Sequence, residues 1–481
     1  MQNYINKNYM LNSKSILISV LIVFSVVFSS FSQKTHLFGN IPDYANSKLE
    51  FITYTDFITN TEKPLAECEV SENGDFSVNI NIKETQYIFL HLGVYEAFVF
   101  IEPQHEYELL FPEKQDKTIV EELNPYFKEI KYHLGIANSS EKELNYILAY
   151  FNYEYDRMIN QNAYKIYTKA SGINVEDAIS KIDSIFCNYK NPYFINYKKY
   201  KYAAFKHLSY QHKTKSISNS YYLNKNVLYR NTAYMDLFNQ VYDNYFLYFG
   251  RTEHGKEIYK NINRQKSIFA LKSTLSYDNI LKNDTLKEFV ILKCLYDEFY
   301  NDKFYRSAML TVLDSLRNQT TIEEHKKIAD NIYTKVTRLL KGFAPSEFLL
   351  YDTDSNLVSL SNFKGKYVYL GFCTSSSYTC IQEFEMLRKL YERHSNDFEI
   401  VMICADNSYE QMKRFVDKKK YPWKFLYYGN KPHILKEYDI RAFPTYFLID
   451  KEGKLLLSPA PSPAENLEFT LFKIMKVRGD L

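Results

Sequence analysis

Four residues in the C-terminal part of this chain have the types and spacing for thiol chemistry: Cys373, Ser377, Cys380 and Cys404. The stretch from Lys364 to Cys380 reads as a buried strand, a short polar loop and the start of a helix. A cysteine at a helix start can be reactive, because the helix dipole and the free backbone N–H groups stabilise a thiolate. Disulfide exchange needs one thiolate to attack and a second thiol to resolve the mixed disulfide. Ser377 cannot attack: its hydroxyl does not ionise near pH 7 and forms no disulfide. Dithiol exchange through Ser377-Tyr378-Thr379-Cys380 is therefore excluded on chemical grounds.

The other two cysteines open a second route. Side chains alternate along a strand, so Gly371 and Cys373 face the same side of the sheet. If Phe398 to Ala405 is the neighbouring strand, Cys404 lies near its C-terminal end, where open α/β sheets bind ligands. Cys373, Cys380 and Cys404 then converge at one edge. A Cys373–Cys380 or Cys373–Cys404 bridge requires Cα atoms within about 7 Å. The simpler alternative is three small apolar side chains filling a core.

The elements that must position these residues begin at Ala344-Pro345. They alternate as strand, helix, strand, helix, then two strands and a last helix. Phe398 to Ala405 reads as a strand and Tyr409 to Lys420 as a helix. Thr445 to Asp450 and Lys454 to Leu457 form a hairpin, and Glu465 to Met475 closes the domain as a helix. A βαβ unit followed by ββα is an α/β arrangement.

With these residues in place, positions 343 to 481 resemble the thioredoxin-like family, in particular its TlpA/ResA branch within the AhpC/TSA-redoxin superfamily. The resemblance rests on the strand ending Gly371-Phe372, on Cys380 at the second cysteine of a C-x-x-C, and on Ala442-Phe-Pro-Thr-Tyr-Phe-Leu-Ile-Asp450 with the turn glycine Gly453. It implies a thioredoxin fold, a cis-proline at Pro444, and a polypeptide partner held beside Phe443 and Pro444. Glu383 occupies a common acidic position of the branch. The departures are as informative. The attacking cysteine becomes Ser377, the two tryptophans of the pattern become Cys373 and Ser376, the active-site proline becomes Thr379, and the buried aspartate becomes Gly371. Ser377-x-x-Cys380 is also similar to the peroxiredoxin spacing. That pattern further needs a proline where Cys373 stands and an arginine where Pro444 stands, and Arg441 is not equivalent.

A chain of 481 residues predicts about two to four domains. A net charge of +3 gives no reason to expect a nucleic-acid partner. The 45 tyrosines and 35 phenylalanines, with abundant Lys, Asn and Ile, match the usage of an AT-rich genome. Lys7 and Lys14 precede an apolar run from Ile16 to Phe28, and Ser30-Phe31-Ser32 offers a small-x-small cleavage site. Residues 1–32 are therefore expected to be a secretory signal cleaved after Ser32, which places the protein in the periplasm or extracytoplasmic envelope. A membrane contact is expected only if that segment stays uncleaved, and no cysteine follows it to accept lipid. The six cysteines are too few and too dispersed for a disulfide framework. No His-x-x-His or Cys-x-x-Cys pair suggests zinc, and neither a metal nor an organic cofactor is expected. Cys187 and Cys294 fall at apolar helix positions, where a buried inert thiol is the default.

Residues 33–115 read as a small β-sandwich, from short apolar strands such as Asp75 to Ile82 and Tyr87 to Leu92 with an Asn73-Gly74 turn. This segment resembles the β domain that precedes thioredoxin domains in exported Bacteroidetes proteins. Residues 116–341 read as all-α, with Leu144, Ile147, Leu148, Phe151 and Tyr155 at helical spacing. Ser140/Glu143, Thr285/Glu288 and Thr321/Glu324 have the spacing of capping boxes, and Gly342 is placed to cap the last helix. The expected architecture is an N-terminal β-sandwich, a central all-α region and a C-terminal α/β thioredoxin fold at 342–481. Two functions compete: thiol-disulfide oxidoreduction through Cys380 with Cys373 or Cys404, on protein or peptide thiols and disulfides, and a catalytically inactive polypeptide-binding module. A peroxiredoxin-like peroxidase is the third reading.

Overall fold

The computed structural model describes residues 34–168, 174–209, 213–429 and 431–480. The expected signal at 1–32 lies outside the described residues. Among them, no helix is long and apolar enough to cross a membrane.

The N-terminal part is two sheets face to face. Its strands are β1 (Lys34–Asn40), β2 (Lys48–Tyr54), β3 (Glu62–Glu69), β4 (Asp75–Asn81), β5 (Gln86–Leu92), β6 (Tyr95–Ile101), β7 (Glu106–Leu110), β8 (Ile130–His133) and β9 (Gly135–Ile136). One sheet runs β4-β1-β7-β9, the other β3-β2-β5-β6-β8. Alternation sorts the side chains. Leu49, Phe51, Ile88, Leu90, Val99 and Ile101 fill the sandwich, while Ile52, Tyr87, Phe89 and Phe100 on the opposite face pack into the helical core. Each such ring or branched chain contributes about 1.5–3 kcal/mol on burial, so the five-stranded sheet welds the two regions together. The β region also runs past the expected boundary at 115. The strands at 130–133 and 135–136 pair in parallel with β6 and antiparallel with β7, so part of the stretch expected to be helical completes the sheets.

The central helices are α1 (Ile119–Glu122), α2 (Leu144–Tyr167), α3 (Val175–Phe186), α4 (Pro192–Leu208), α5 (Thr214–Tyr221), α6 (Thr232–Val241), α7 (Tyr245–Phe249), α8 (Glu257–Asn263), α9 (Ile268–Leu275), α10 (Asp284–Asp297), α11 (Arg306–Gln319) and α12 (Glu323–Thr337). The aromatic stripe Leu144, Ile147, Leu148, Phe151 and Tyr155 is core. The expected caps shift. Glu143 itself caps α2, accepting the Tyr146 N–H. Asn283 rather than Thr285 caps α10, and α12 begins without a side-chain cap. Cys294 is buried, but Cys187 is exposed at the end of α3, where its thiol donates to the Ser184 carbonyl. Gly342 does not cap a helix. At φ +90° it carries the chain out of the helical region and gives its N–H to the Leu455 carbonyl at 2.7 Å.

The C-terminal domain is a seven-stranded sheet, β11-β10-β14-β13-β12-β15-β16, flanked by helices. Its elements are β10 (Leu349–Asp352), β11 (Leu357–Ser359), β12 (Tyr367–Cys373), α13 (Tyr378–His394), β13 (Phe398–Cys404), α14 (Tyr409–Lys419), β14 (Lys424–Tyr427), α15 (Pro432–Glu437), β15 (Thr445–Ile449), β16 (Leu455–Leu457) and α16 (Leu467–Arg478). The central strand β12 is buried at every residue. It pairs in parallel with β13 and antiparallel with β15. The strands β10, β11 and β14 escape the sequence pattern because they are only three or four residues long.

Candidate functional site

The site is built where β12 and β13 end and α13 begins. Odd-numbered residues of β12 face one core and even-numbered residues the other: Tyr367, Tyr369 and Cys373 pack with Cys380, Phe384 and Cys404, while Val368, Leu370 and Phe372 pack with Tyr438 and Phe447. Cys373 and Cys404 are register partners across the parallel pair. Their sulfurs lie 3.4 Å apart. Neighbouring strands lie about 4.8 Å apart, which puts the two backbones inside the range a disulfide spans. Cys380 enters the same apolar cluster from the first turn of α13. All three thiols are 0% exposed.

The loop between them works as a helix cap. Ser377 is the N-cap of α13, and its hydroxyl accepts the Cys380 N–H at 3.3 Å. Ser376, Tyr378 and Thr379 are exposed and Ser377 is half-buried, so the accessible positions of the loop carry hydroxyls while the sulfur points inward. Position alone would acidify Cys380 through the helix dipole. Burial outweighs it. Desolvation first, then the neighbouring Cys373, push the thiol up to about 11, against the Ser377 and Thr374 hydrogen bonds that lower it. Cys404 is also pushed up, by its contact with Cys373 first, then by burial and by Asp406. At neutral pH both sulfurs stay protonated.

The space beneath the loop is filled. A Cβ on Gly371 would run into Met402 Sδ and would meet the Tyr446 ring at 2.9 Å, so even a methyl group does not fit there. Tyr446 stacks on Tyr369 at 4.8 Å and donates its hydroxyl to Glu383 Oε2 at 2.7 Å. Burial raises Glu383 above the usual carboxylate range.

Phe443–Pro444 is a cis peptide, and both residues are half-buried. Thr445 pairs with Phe372 in the sheet, which brings Pro444 up beside the end of β12. Arg441 points elsewhere: it is exposed and bonded to Asp439 at 3.1 Å. Thus Cys373, Cys380 and Cys404 come together, Ser377 caps the helix above them, and Phe443 and Pro444 flank the same edge. One residue escaped the sequence reading. Asp406, two positions beyond Cys404, is 2% exposed and accepts the Ser375 N–H through Oδ1 at 2.7 Å. An acidic residue just after the end of a parallel strand was the available signal.

The redoxin family profile matches residues 337–463. Over 145 residues the chain is 32% identical to the thiol-disulfide oxidoreductase ResA of Bacillus thuringiensis, covering 30% of this chain and 83% of that protein. Through its C-terminal domain, the chain belongs to the redoxin family. The redoxin domain is thus a thioredoxin-like thiol-disulfide oxidoreductase domain, homologous to ResA. The chain is also 29% identical over 194 residues to the chloroplastic peroxiredoxin Q of Populus jackii, covering 38% of this chain and 84% of that one. Among solved structures, the thioredoxin domain of a thiol-disulfide oxidoreductase from Bacteroides vulgatus is 28% identical, with a TM-score of 0.26, covering 28% of this chain and 96% of that chain.

Proposed function

We propose that this is an exported protein of the periplasm or cell envelope whose redoxin domain has lost ordinary dithiol exchange and binds polypeptide along the Phe443–Pro444 edge. One observation carries this reading: the exposed loop offers hydroxyls, and the one sulfur at the helix start, Cys380, is buried and protonated at neutral pH. A thiol in that state is a poor nucleophile toward an external disulfide, because the thiolate is the attacking species. Its relatives' chemistry makes an extracytoplasmic protein or peptide the natural partner, with the β and helical regions as the body that carries the domain. Insulin reduction by the pure protein at thioredoxin-like rates would falsify this reading.

A second reading is favoured by the 3.4 Å contact between Cys373 and Cys404. These two thiols, rather than Cys380, would be the redox couple, storing a disulfide within the sheet. Disulfide mapping by mass spectrometry on protein taken from the envelope separates the two. A Cys373–Cys404 bridge that opens with dithiothreitol supports the couple; three free thiols there support the binding module.

A further inference from the structure

The β sandwich sends a loop across to the redoxin domain. Residues 116–129, which include α1, leave and rejoin the sandwich at a single residue: Val94 donates its N–H to the Gln115 carbonyl and accepts the Ile130 N–H, both at 2.9 Å. The neck closes this tightly because Gly93, at φ +58°, has no side chain; a Cβ there would run into the Gln115 carbonyl. A loop with its ends together and packed by its own side chains is an Ω loop, a device that frequently carries function. Here the packing comes from the Thr118–Glu121 capping box and from Lys117, which is bonded to Glu129 and lies 5.4 Å over the Phe127 ring. The tip is fastened to the redoxin domain. Glu122 accepts the Tyr428 hydroxyl at 3.0 Å, and Leu123 packs on the core that contains Leu370 and Phe372. Tyr126 lies beside the Arg441 side chain, two residues before Phe443.

These contacts set an aromatic ring of the β region next to the edge at 441–444. Among the described residues, the Phe443 N–H and C=O have no hydrogen-bond partner, and the residue is only half-buried. Free backbone groups in an exposed stretch are what an extended chain pairs with when it binds. The side chains around them are apolar or already neutralised. Tyr126 is 69% exposed and Tyr378, at the start of α13, 72%, while Arg441 is bonded to Asp439. Exposed tyrosine rings beside free backbone suit an apolar side chain on the incoming segment.

We propose that this Ω loop is the outer wall of the polypeptide site, so that an extended, uncharged segment lies on the Phe443 backbone with an apolar side chain against Tyr126. This rests on the reading that the Phe443–Pro444 edge binds polypeptide. It makes the site composite: the redoxin domain supplies the backbone that pairs with the segment, and the β region supplies a wall that selects its side chain. The tight neck and the Leu123 and Glu122 contacts hold that wall in position before the segment arrives, which lowers the cost of ordering it on binding.

The test is fluorescence anisotropy with the full chain and a labelled, end-capped peptide of serine and glutamine around a central Leu-Phe pair. Wild type should bind it. Tyr126→Ala should weaken binding about tenfold, the scale of losing an aromatic anchor, and Tyr126→Phe should keep it, because the ring makes the contact. Phe443→Ala should also weaken it. Hydrogen exchange on the wild-type complex should slow at 124–128 together with 441–443, which a merely structural loop would not show. If Phe443→Ala weakens binding and Tyr126→Ala does not, or if exchange slows only at 441–443, the edge binds polypeptide but the loop is no wall. If wild type does not bind, or neither substitution alters binding, the polypeptide edge itself is wrong and the wall falls with it. Equal affinity for the same peptide with Glu-Glu or Lys-Lys at its centre would overturn the choice of an apolar, uncharged segment.

Discussion

Substituting Ser377→Cys tests whether one atom separates this domain from disulfide exchange. The serine hydroxyl accepts the Cys380 N–H at 3.3 Å as the cap of α13. Losing that cap costs about 1 kcal/mol. In return, a thiol stands at a half-buried position on a helix N-terminus, three residues before Cys380. Helix starts bring cysteine from about 8.5 down toward about 7, which raises the thiolate fraction at pH 7 from about 3% to about half. Positions three apart in a first helical turn have Cβ atoms about 5–6 Å apart, close enough for small rotamer changes to bring the sulfurs into bonding range. Cys380, buried and protonated, then has only to resolve. The assay is dithiothreitol-driven insulin reduction, with disulfide mapping of the variant. At least a tenfold rise over wild type is expected, with a loss of about 1 kcal/mol in stability. The reasoning fails if the variant forms the new disulfide with Cys380 yet reduces insulin no faster than wild type. The block would then lie in the filled space around Gly371 and Tyr446 rather than in the missing sulfur.

Native thiol titration at pH 8 should label exposed Cys187 quickly and half-buried Cys68 slowly, with Cys294, Cys373, Cys380 and Cys404 reacting only after denaturation; rapid labelling of Cys380 would contradict its burial. Glu298 is buried with Oε2 unpartnered, and burial lifts it from 4.5 to about 7. The folded state therefore binds this proton more tightly than the unfolded chain, so stability falls as pH rises from about 4.5 to about 7. The full span, (7 − 4.5) at ~1.4 kcal/mol per tenfold, is ~3.5 kcal/mol, and screening by solvent and neighbours reduces it to about 1–2 kcal/mol. Glu298→Gln should stabilise by that amount at pH 8 and hardly at pH 4; urea denaturation at both values checks it, and an equal effect at both would refute it. Gly371→Ala should cost about 1–3 kcal/mol by overpacking against Met402 and Tyr446, measured by denaturation of the isolated variant and wild type in parallel.

Much of this domain was legible because its signals are local. Tyr367 to Cys373 is an uninterrupted apolar run, and a strand buried on both faces needs one. The Pro444 motif precedes another such strand, and the helix expected from Tyr409 begins there, behind a Ser408 cap. Helix starts in the central region read less well, since Asn283 and Glu143 compete with the Ser/Thr–Glu pairs nearby, and the side chain that reaches the free N–H groups is decided by the entering backbone. Cys187 looked like a core position by period, yet α3 ends there and turns it out to solvent.

Residue types alone supply the argument against exchange through Ser377 and Cys380, because a serine hydroxyl forms no disulfide. They also set the chain order of strand, loop and helix that puts Cys380 at a helix start. Whether that position acidifies the thiol was a contest between the helix dipole, visible in sequence, and desolvation, which depends on residues such as Tyr446 and Met402 brought in from elsewhere along the chain. Desolvation won. The pairing of Cys373 with Cys404 likewise required the register of two strands separated by a whole helix, and the Asp406 contact with the Ser375 N–H exists only once the sheet and the loop close together. Long-range packing sets burial, and burial sets which of these sulfurs can react.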